Sequence, residues 1–121
     1  MLSRRTLRSA VAVLGVGAAI ALSASTPAFA ANEGDHWLYT PNCTADQEIQ
    51  LQYVNGGWHD QQELNPTRVG GTCEFVMTDN GAVISDTWGA GSGWHYDGPG
   101  HYICVQVRDW TAGTTIYGIC N

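Results

Sequence analysis

The residues whose types invite chemistry are four histidines, four cysteines and a run of aromatics set among glycines. The histidines are His36, His59, His95 and His101. His59 precedes Asp60, and His95 lies two residues before Asp97, so each segment offers an imidazole and a carboxylate for acid–base work. No short His/Cys spacing resembles a zinc site, so no metal or other cofactor is expected. Gly89-Ala90-Gly91-Ser92-Gly93 is loosely like a hydrolase nucleophile elbow, but the strand–turn–helix context is missing. A small ribonuclease needs cations at the phosphate, which this chain barely supplies. A catalytic constellation with matching geometry is therefore not assembled, and a small secreted hydrolase is the third reading behind two kinds of binding protein.

The binding readings start from Trp88 to Tyr102. This stretch packs Trp88, Trp94, Tyr96 and Tyr102 among glycines, between two strand-like runs, and reads as a long loop. Trp94, His95 and Tyr96 are taken as contact residues. Trp88 and Tyr102, at the flanking strand ends, are taken as core. Residues 31–41 are acidic, then aromatic, and present Trp37 and Tyr39. They form either a free arm that adds to a partner's sheet or groove, or an edge strand of their own domain.

Positioning these residues requires an exported fold. Arg4, Arg5 and Arg8 precede an apolar run that ends in Ala28-Phe29-Ala30, a secretory signal peptide over 1–30. Ser3-Arg4-Arg5-Thr6-Leu7 loosely resembles a twin-arginine signal, and the style of signal is bacterial; the export route stays open. The apolar run is shorter than the roughly 20 residues of a membrane span. Residues 31–121 then make one secreted domain, whose small core calls for cross-links. Cys43, Cys73, Cys104 and Cys120 read as two disulfides. Two arginines, Arg68 and Arg108, stand against 11 acidic residues, a net charge of −9. Nucleic acid and anionic membranes are poor partners for such a surface.

No long segment shows a helical apolar period. Short Val/Ile/Thr/aromatic runs recur between turn residues: Glu48–Val54, Cys73–Met77, Ala82–Trp88, His101–Asp109 and Thr114–Cys120, with Trp37–Thr40 as a sixth. The fold class is all-β, a small disulfide-stapled antiparallel β-sandwich, immunoglobulin-like or similar. Asn80-Gly81 predicts a tight hairpin with Met77 opposite Ile84 and Cys73 opposite Trp88. A turn centred on Ala112 places Cys104 opposite Cys120, Val105 opposite Ile119 and Val107 opposite Tyr117. That register predicts Cys104–Cys120, which leaves Cys43–Cys73.

Tyr102, two residues before Cys104, resembles the late-strand pattern of immunoglobulin-like domains, with Trp58 standing where their core tryptophan would be. That resemblance implies Cys43–Cys104 instead. Trp94-His95-Tyr96 is similar to the Trp-Arg-Tyr triplet of bacterial α-amylase inhibitors of the tendamistat type, although His95 replaces the arginine and the cysteine spacing differs. The leading expectation is a non-catalytic domain that binds another extracellular protein, as an inhibitor of an extracellular enzyme or an adaptor in a secreted complex such as a toxin. The alternative is a carbohydrate-binding module that stacks polysaccharide on exposed rings.

Overall fold

Two Asn-Gly pairs lay out the strands. Asn55-Gly56 has φ of 51° and 82°, and Asn80-Gly81 has φ of 49° and 85°. Both residues of a type I′ turn need positive φ, which Asn and Gly tolerate best. A computed structural model describes residues 32–121; the export signal expected over 1–30 lies outside the described residues. Eight strands run in order: β1 (Gly34–Tyr39), β2 (Cys43–Val54), β3 (Gly57–Val69), β4 (Cys73–Asp79), β5 (Ala82–Thr87), β6 (His95–Tyr96), β7 (Ile103–Asp109) and β8 (Thr114–Tyr117). They form two antiparallel four-stranded sheets, ordered β1-β2-β3-β6 and β5-β4-β7-β8. No helix occurs among the described residues, and the fold is a disulfide-stapled β-sandwich.

The core lies between the sheets. Leu38, Ala45, Ile49 and Leu64 face inward from the first sheet, against Phe75, Met77, Ile103, Val105 and Val107 of the second. β7 alternates buried and half-buried residues along its whole length, the period of a strand with one face on a core. Cys43–Cys73 joins β2 to β4 across the sheets, with Cα atoms 5.9 Å apart. Cys104–Cys120 joins β7 to the chain beyond β8, at 4.2 Å. In the chain-entropy view these loops contribute about 3.6 and about 3.1 kcal/mol. The immunoglobulin-like pairing of Cys43 with Cys104 does not occur, and Trp58 lies 65% exposed on the β2–β3 hairpin, stacked edge-on with Tyr53.

β3 has no counterpart among the strands expected from sequence. Its Gln, Glu, Asn and Asp residues obscure the alternation, and Pro66 argues against a strand. Pro66 sits opposite Ala45 beside a bulge at Thr44/Ala45, where a missing ladder donor is tolerated. Residues 31–41 are not a free arm: Gly34–Tyr39 pairs along β2 as an edge strand.

Both predicted hairpins form, each with a slip of one residue. A bulge beside Met77 sets that residue opposite Ser85, not Ile84, and Cys73 opposes Asp109, not Trp88. In the second hairpin Val107 opposes Ile116, so Ile116 packs on the core and Tyr117 turns out to 73% exposure. Gly118 then restores the expected register. Its N–H donates to Val105 O at 3.0 Å, and Ile103 and Asn121 exchange bonds at 2.7 and 2.8 Å, which brings Cys104 opposite Cys120. A Cβ on Gly118 would strike Gln47 Oε1 and Val105 Cγ2, so only glycine fits this bulge.

One carboxylate fastens the two sheets at a corner. Asp109, at the end of β7, is 1% exposed. It accepts from Thr40 Oγ1 (2.9 Å), Asn42 N (2.8 Å), Asn42 Nδ2 (3.2 Å) and Ala112 N (2.9 Å). Burial alone would raise its pKa, but these donors hold it down to about 2. A carboxylate depressed in the fold stabilises above the unfolded pKa of roughly 4, and that contribution is lost as pH falls through the folded value. Thermal stability should therefore drop between about pH 4 and pH 2. Asp109→Asn should flatten that drop while lowering stability at neutral pH, as read by a melting-temperature series against pH.

Candidate functional site

Strand alternation gathers aromatics that are far apart in sequence onto one face. In β1, His36 and Leu38 point inward, so Trp37 and Tyr39 point outward, at 49% and 62% exposure. Their rings stack with centroids 6.3 Å apart and planes at 24°. Across the sheet Gln61 pairs with Tyr96, which places Tyr96 on the same outer face. Alternation through His95 directs Trp94, just before β6, to that side as well. β1 and β6 are three strand spacings apart, about 14 Å. The late loop and the N-terminal segment thus supply two aromatic edges to one surface.

Tyr96 is held in place on three sides. Its ring packs edge-on against His59 at 5.7 Å and His101 at 5.2 Å, and lies where a Cβ on Gly98 would be. His101 Nδ1 bonds Asp79 Oδ2 at 2.5 Å, and that bond, with a second from Tyr102 N, lowers the Asp79 pKa. His95 belongs elsewhere. It pairs with Gln62 on the inward side and is half-buried, its Nε2 at 3.1 Å from Ser92 O. The Ser92 hydroxyl donates to Gly93 O and accepts from Leu64 N, so it braces the loop on β3. His95 therefore meets the Ser92 carbonyl rather than its hydroxyl.

Between the aromatic edges lies an acidic centre. Asp35, Glu48 and Glu63 pair in one row across β1, β2 and β3. Asp46 stands in the next row, between Trp37 and Asn65. Burial, then the charges of Asp35 and Glu48, pushes Asp46 up to about 6. Glu63 is raised by burial and by Glu48. Sequence reading missed this cluster because its members come from three strands, and only the pairing register assembles them.

Of the acid–base segments, Asp60, His95 and Asp97 lie on the other side of the sheet, while alternation leaves His59 on the outer face beside Tyr96. Asp60 and Asp97 face inward at the open end of the sandwich, with Asp97 N donating to Asp60 O at 3.1 Å. Burial, then the neighbouring Asp97 carboxyl, lifts Asp60 to about 6. Asp97 is raised by burial, while a bond from Asn121 Nδ2 at 3.1 Å opposes the rise. Gln47 and Gln62 continue this polar layer: Gln47 Nε2 donates to Gln62 Oε1 and to Ile119 O, and Ile119 N donates back to Gln47 Oε1. The layer ties β2, β3 and the loop after β6 to the C-terminal segment.

Two residues assigned to the core stand outside it. Trp88 and Tyr102 are 58% and 56% exposed, since Trp88 lies past the end of β5 and Tyr102 before the start of β7. All five tryptophans are surface residues, and Phe75 and smaller side chains fill the interior. Comparison with protein-family models, curated proteins and solved structures finds no match to this chain.

The Asp60–Asp97 pair makes a signed prediction. A carboxyl raised in the fold disfavours folding above its folded pKa, and stability is regained as pH falls through that value toward the unfolded one. Asp60→Asn removes the like charge and offers an amide to Asp97 Oδ1, which has no hydrogen-bond partner. After discounting for solvent screening, the gain at pH 7 should be of order 1 kcal/mol, or about 4–8 °C in melting temperature. It should shrink toward zero below about pH 3, where Asp60 is protonated in both states. A gain independent of pH would refute the assignment.

Proposed function

We propose that this is a secreted, non-catalytic binding domain that docks another extracellular protein through the outer face of its first sheet, as an inhibitor of an extracellular enzyme or an adaptor in a secreted complex. The observation that carries the reading is that Trp37 and Tyr39 share one sheet face with Tyr96, 57 positions later. Exposed aromatics close together on rigid strands make good anchors, because their area is large and little side-chain freedom remains to be lost. The two disulfides suit an oxidising, extracellular setting, and no described helix is long and apolar enough to cross a membrane. The acidic centre between the edges favours a partner with a basic surface and speeds encounter with it.

A carbohydrate reading keeps one observation in its favour. The rings of Trp37 and Tyr39 are close to coplanar, and a flat exposed pair suits stacking on a sugar chain.

The test uses the domain as bait for extracellular proteins, beside variants in the two aromatic edges. Trp37→Ala and Tyr96→Ala should each weaken capture by about 2–4 kcal/mol, the range of central interface aromatics. The melting temperature of Trp37→Ala should change little, whereas Tyr96→Ala also loses the packing on His59 and His101, so its capture is read at a temperature where the variant is folded. Gly98→Ala, which displaces the Tyr96 ring, should act in the same direction. Tyr117→Ala, on the second sheet, should leave capture intact. Capture that survives loss of both edges excludes this face. Retention on a polysaccharide column that depends on Trp37 and Tyr39 would favour the sugar reading.

A further inference from the structure

We propose that Asp35, Asp46 and Glu48 form a calcium-binding site on the outer face of the first sheet. Oxygen atoms of the three carboxylates all lie within 4.8 Å of one another. The pairing of β1 with β2 causes this: Asp35 opposes Glu48 and Trp37 opposes Asp46, so the three acids are adjacent on one face. Like charges at such positions repel, and a bound cation would offset that repulsion.

The protein does not supply that cation. Among the described residues the ion pairs are His101–Asp79 and Arg108–Glu74, and neither reaches the cluster. Arg68 spends its guanidinium on Thr44 Oγ1 and on the carbonyls of Thr40 and Pro41.

Asp46 provides a second, separate observation. It is only 4% exposed, yet its Oδ1 has no hydrogen-bond partner. A buried carboxylate oxygen without a donor is costly, and native folds rarely leave one. Beside it stand two further carboxylates, which do not donate when ionised, and the backbone hydrogen bond that the Asp46 carboxyl takes from His36 leaves Oδ1 unfilled. A bound cation satisfies all three groups at once.

The donor set selects the ion. Only oxygen ligands are present, which suits a hard cation. Calcium takes oxygens at about 2.3–2.6 Å, so ligands on opposite sides of it lie about 4.6–5.2 Å apart. Ligand oxygens no more than 4.8 Å apart can share such a shell. Magnesium demands a shell about 4.0–4.2 Å across with strict octahedral angles, which carboxylates fixed on two strands meet less readily. Asp35 is exposed, so water can complete the coordination. The ion would tie the edge strand β1 to β2 directly beside Trp37. The inference rests on the carboxylates alone and is independent of the docking reading.

The experiment is calcium titration of the chelator-treated, purified protein at constant ionic strength, followed by calorimetry, melting temperature and tryptophan fluorescence. The expected result is saturable binding with Kd of about 10⁻⁴–10⁻³ M, the range of extracellular calcium modules. Magnesium should bind at least about tenfold more weakly. Asp46→Asn and Glu48→Gln should each raise Kd at least about tenfold, whereas Asp86→Asn on the second sheet should leave it unchanged. If Asp46→Asn fails to fold, Asp35→Asn at the exposed ligand carries the same test. The proposal is overturned by no saturable response up to about 10 mM calcium, well above the weakest expected Kd. It is also overturned by an equal response to magnesium, or by unchanged binding in Asp35→Asn.

Discussion

The carboxylate of Asp109 is the constraint on which the arrangement of the two sheets depends. It ends β7 of the second sheet, yet its donors come from the β1–β2 turn of the first and from the β7–β8 turn. A buried charge is tolerable only when its lone pairs are filled, and here four donors fill them. Thr40 serves twice, since its hydroxyl also accepts from Cys43 N. Cys43 is bonded to Cys73, which stands directly opposite Asp109. A covalent link and a charged hydrogen-bond cluster thus hold the same corner. The far end is closed differently, by Cys104–Cys120 and by Gln47 exchanging bonds with Ile119.

Those two clamps explain how so small an interior can stay ordered. Its largest buried side chain is Phe75, and every tryptophan lies outside. Covalent and polar links at the corners reduce the apolar area that the fold must bury. Aromatic rings are thereby released from packing and become available at the surface. In β1 the same strand divides these duties by alternation: Leu38 seals the core while Trp37 and Tyr39, on either side of it, face outward.

What could be read from sequence divides along physical lines. The two disulfides were legible because Cys104 and Cys120 coincide with a hairpin register, and that fixes the remaining pair. The sheet-forming runs rich in Val and Ile were legible too. β3 was not, because Gln, Glu and Asn occupy both of its faces: Gln62 inside a polar layer, Glu63 on the acidic face. The Asn55-Gly56 turn was the available signal, equal in kind to Asn80-Gly81. Registers slipped by one residue at the bulge beside Met77 and in the β7–β8 ladder until Gly118 restored it, and a one-residue slip exchanges faces. That is why Tyr117 faces solvent and Ile116 the core. Trp88 and Tyr102 were misplaced for a related reason: hydrophobicity placed them at strand ends, but the strands stop one residue short of each. His95 is separated from Tyr96 by the same alternation that unites Tyr96 with Trp37.

Three acidic environments of this fold, at Asp109, at Asp60–Asp97 and around Asp46, each require a different resolution of charge. Asp109 is buried with four donors and stays ionised at low pH. Asp60 and Asp97 are buried together with few donors, so the pair is held most easily when it retains a proton. The cluster around Asp46 combines burial with two acidic neighbours and no nearby arginine. A backbone hydrogen bond from His36 offsets part of the rise at Asp46, the remaining relief is protonation, and at neutral pH that relief is withdrawn. Both arginines of the folded domain are occupied elsewhere, Arg68 bracing the β1–β2 turn and Arg108 beside Glu74. With no lysine, and with two arginines against 11 acidic residues over 31–121, no other permanently cationic side chain is left to neutralise the face. An ion or a partner's basic groups would supply the compensating charge from outside the chain. A surface whose own chain leaves it uncompensated is suited to meet something cationic, and the aromatic edges on either side define where that meeting is confined.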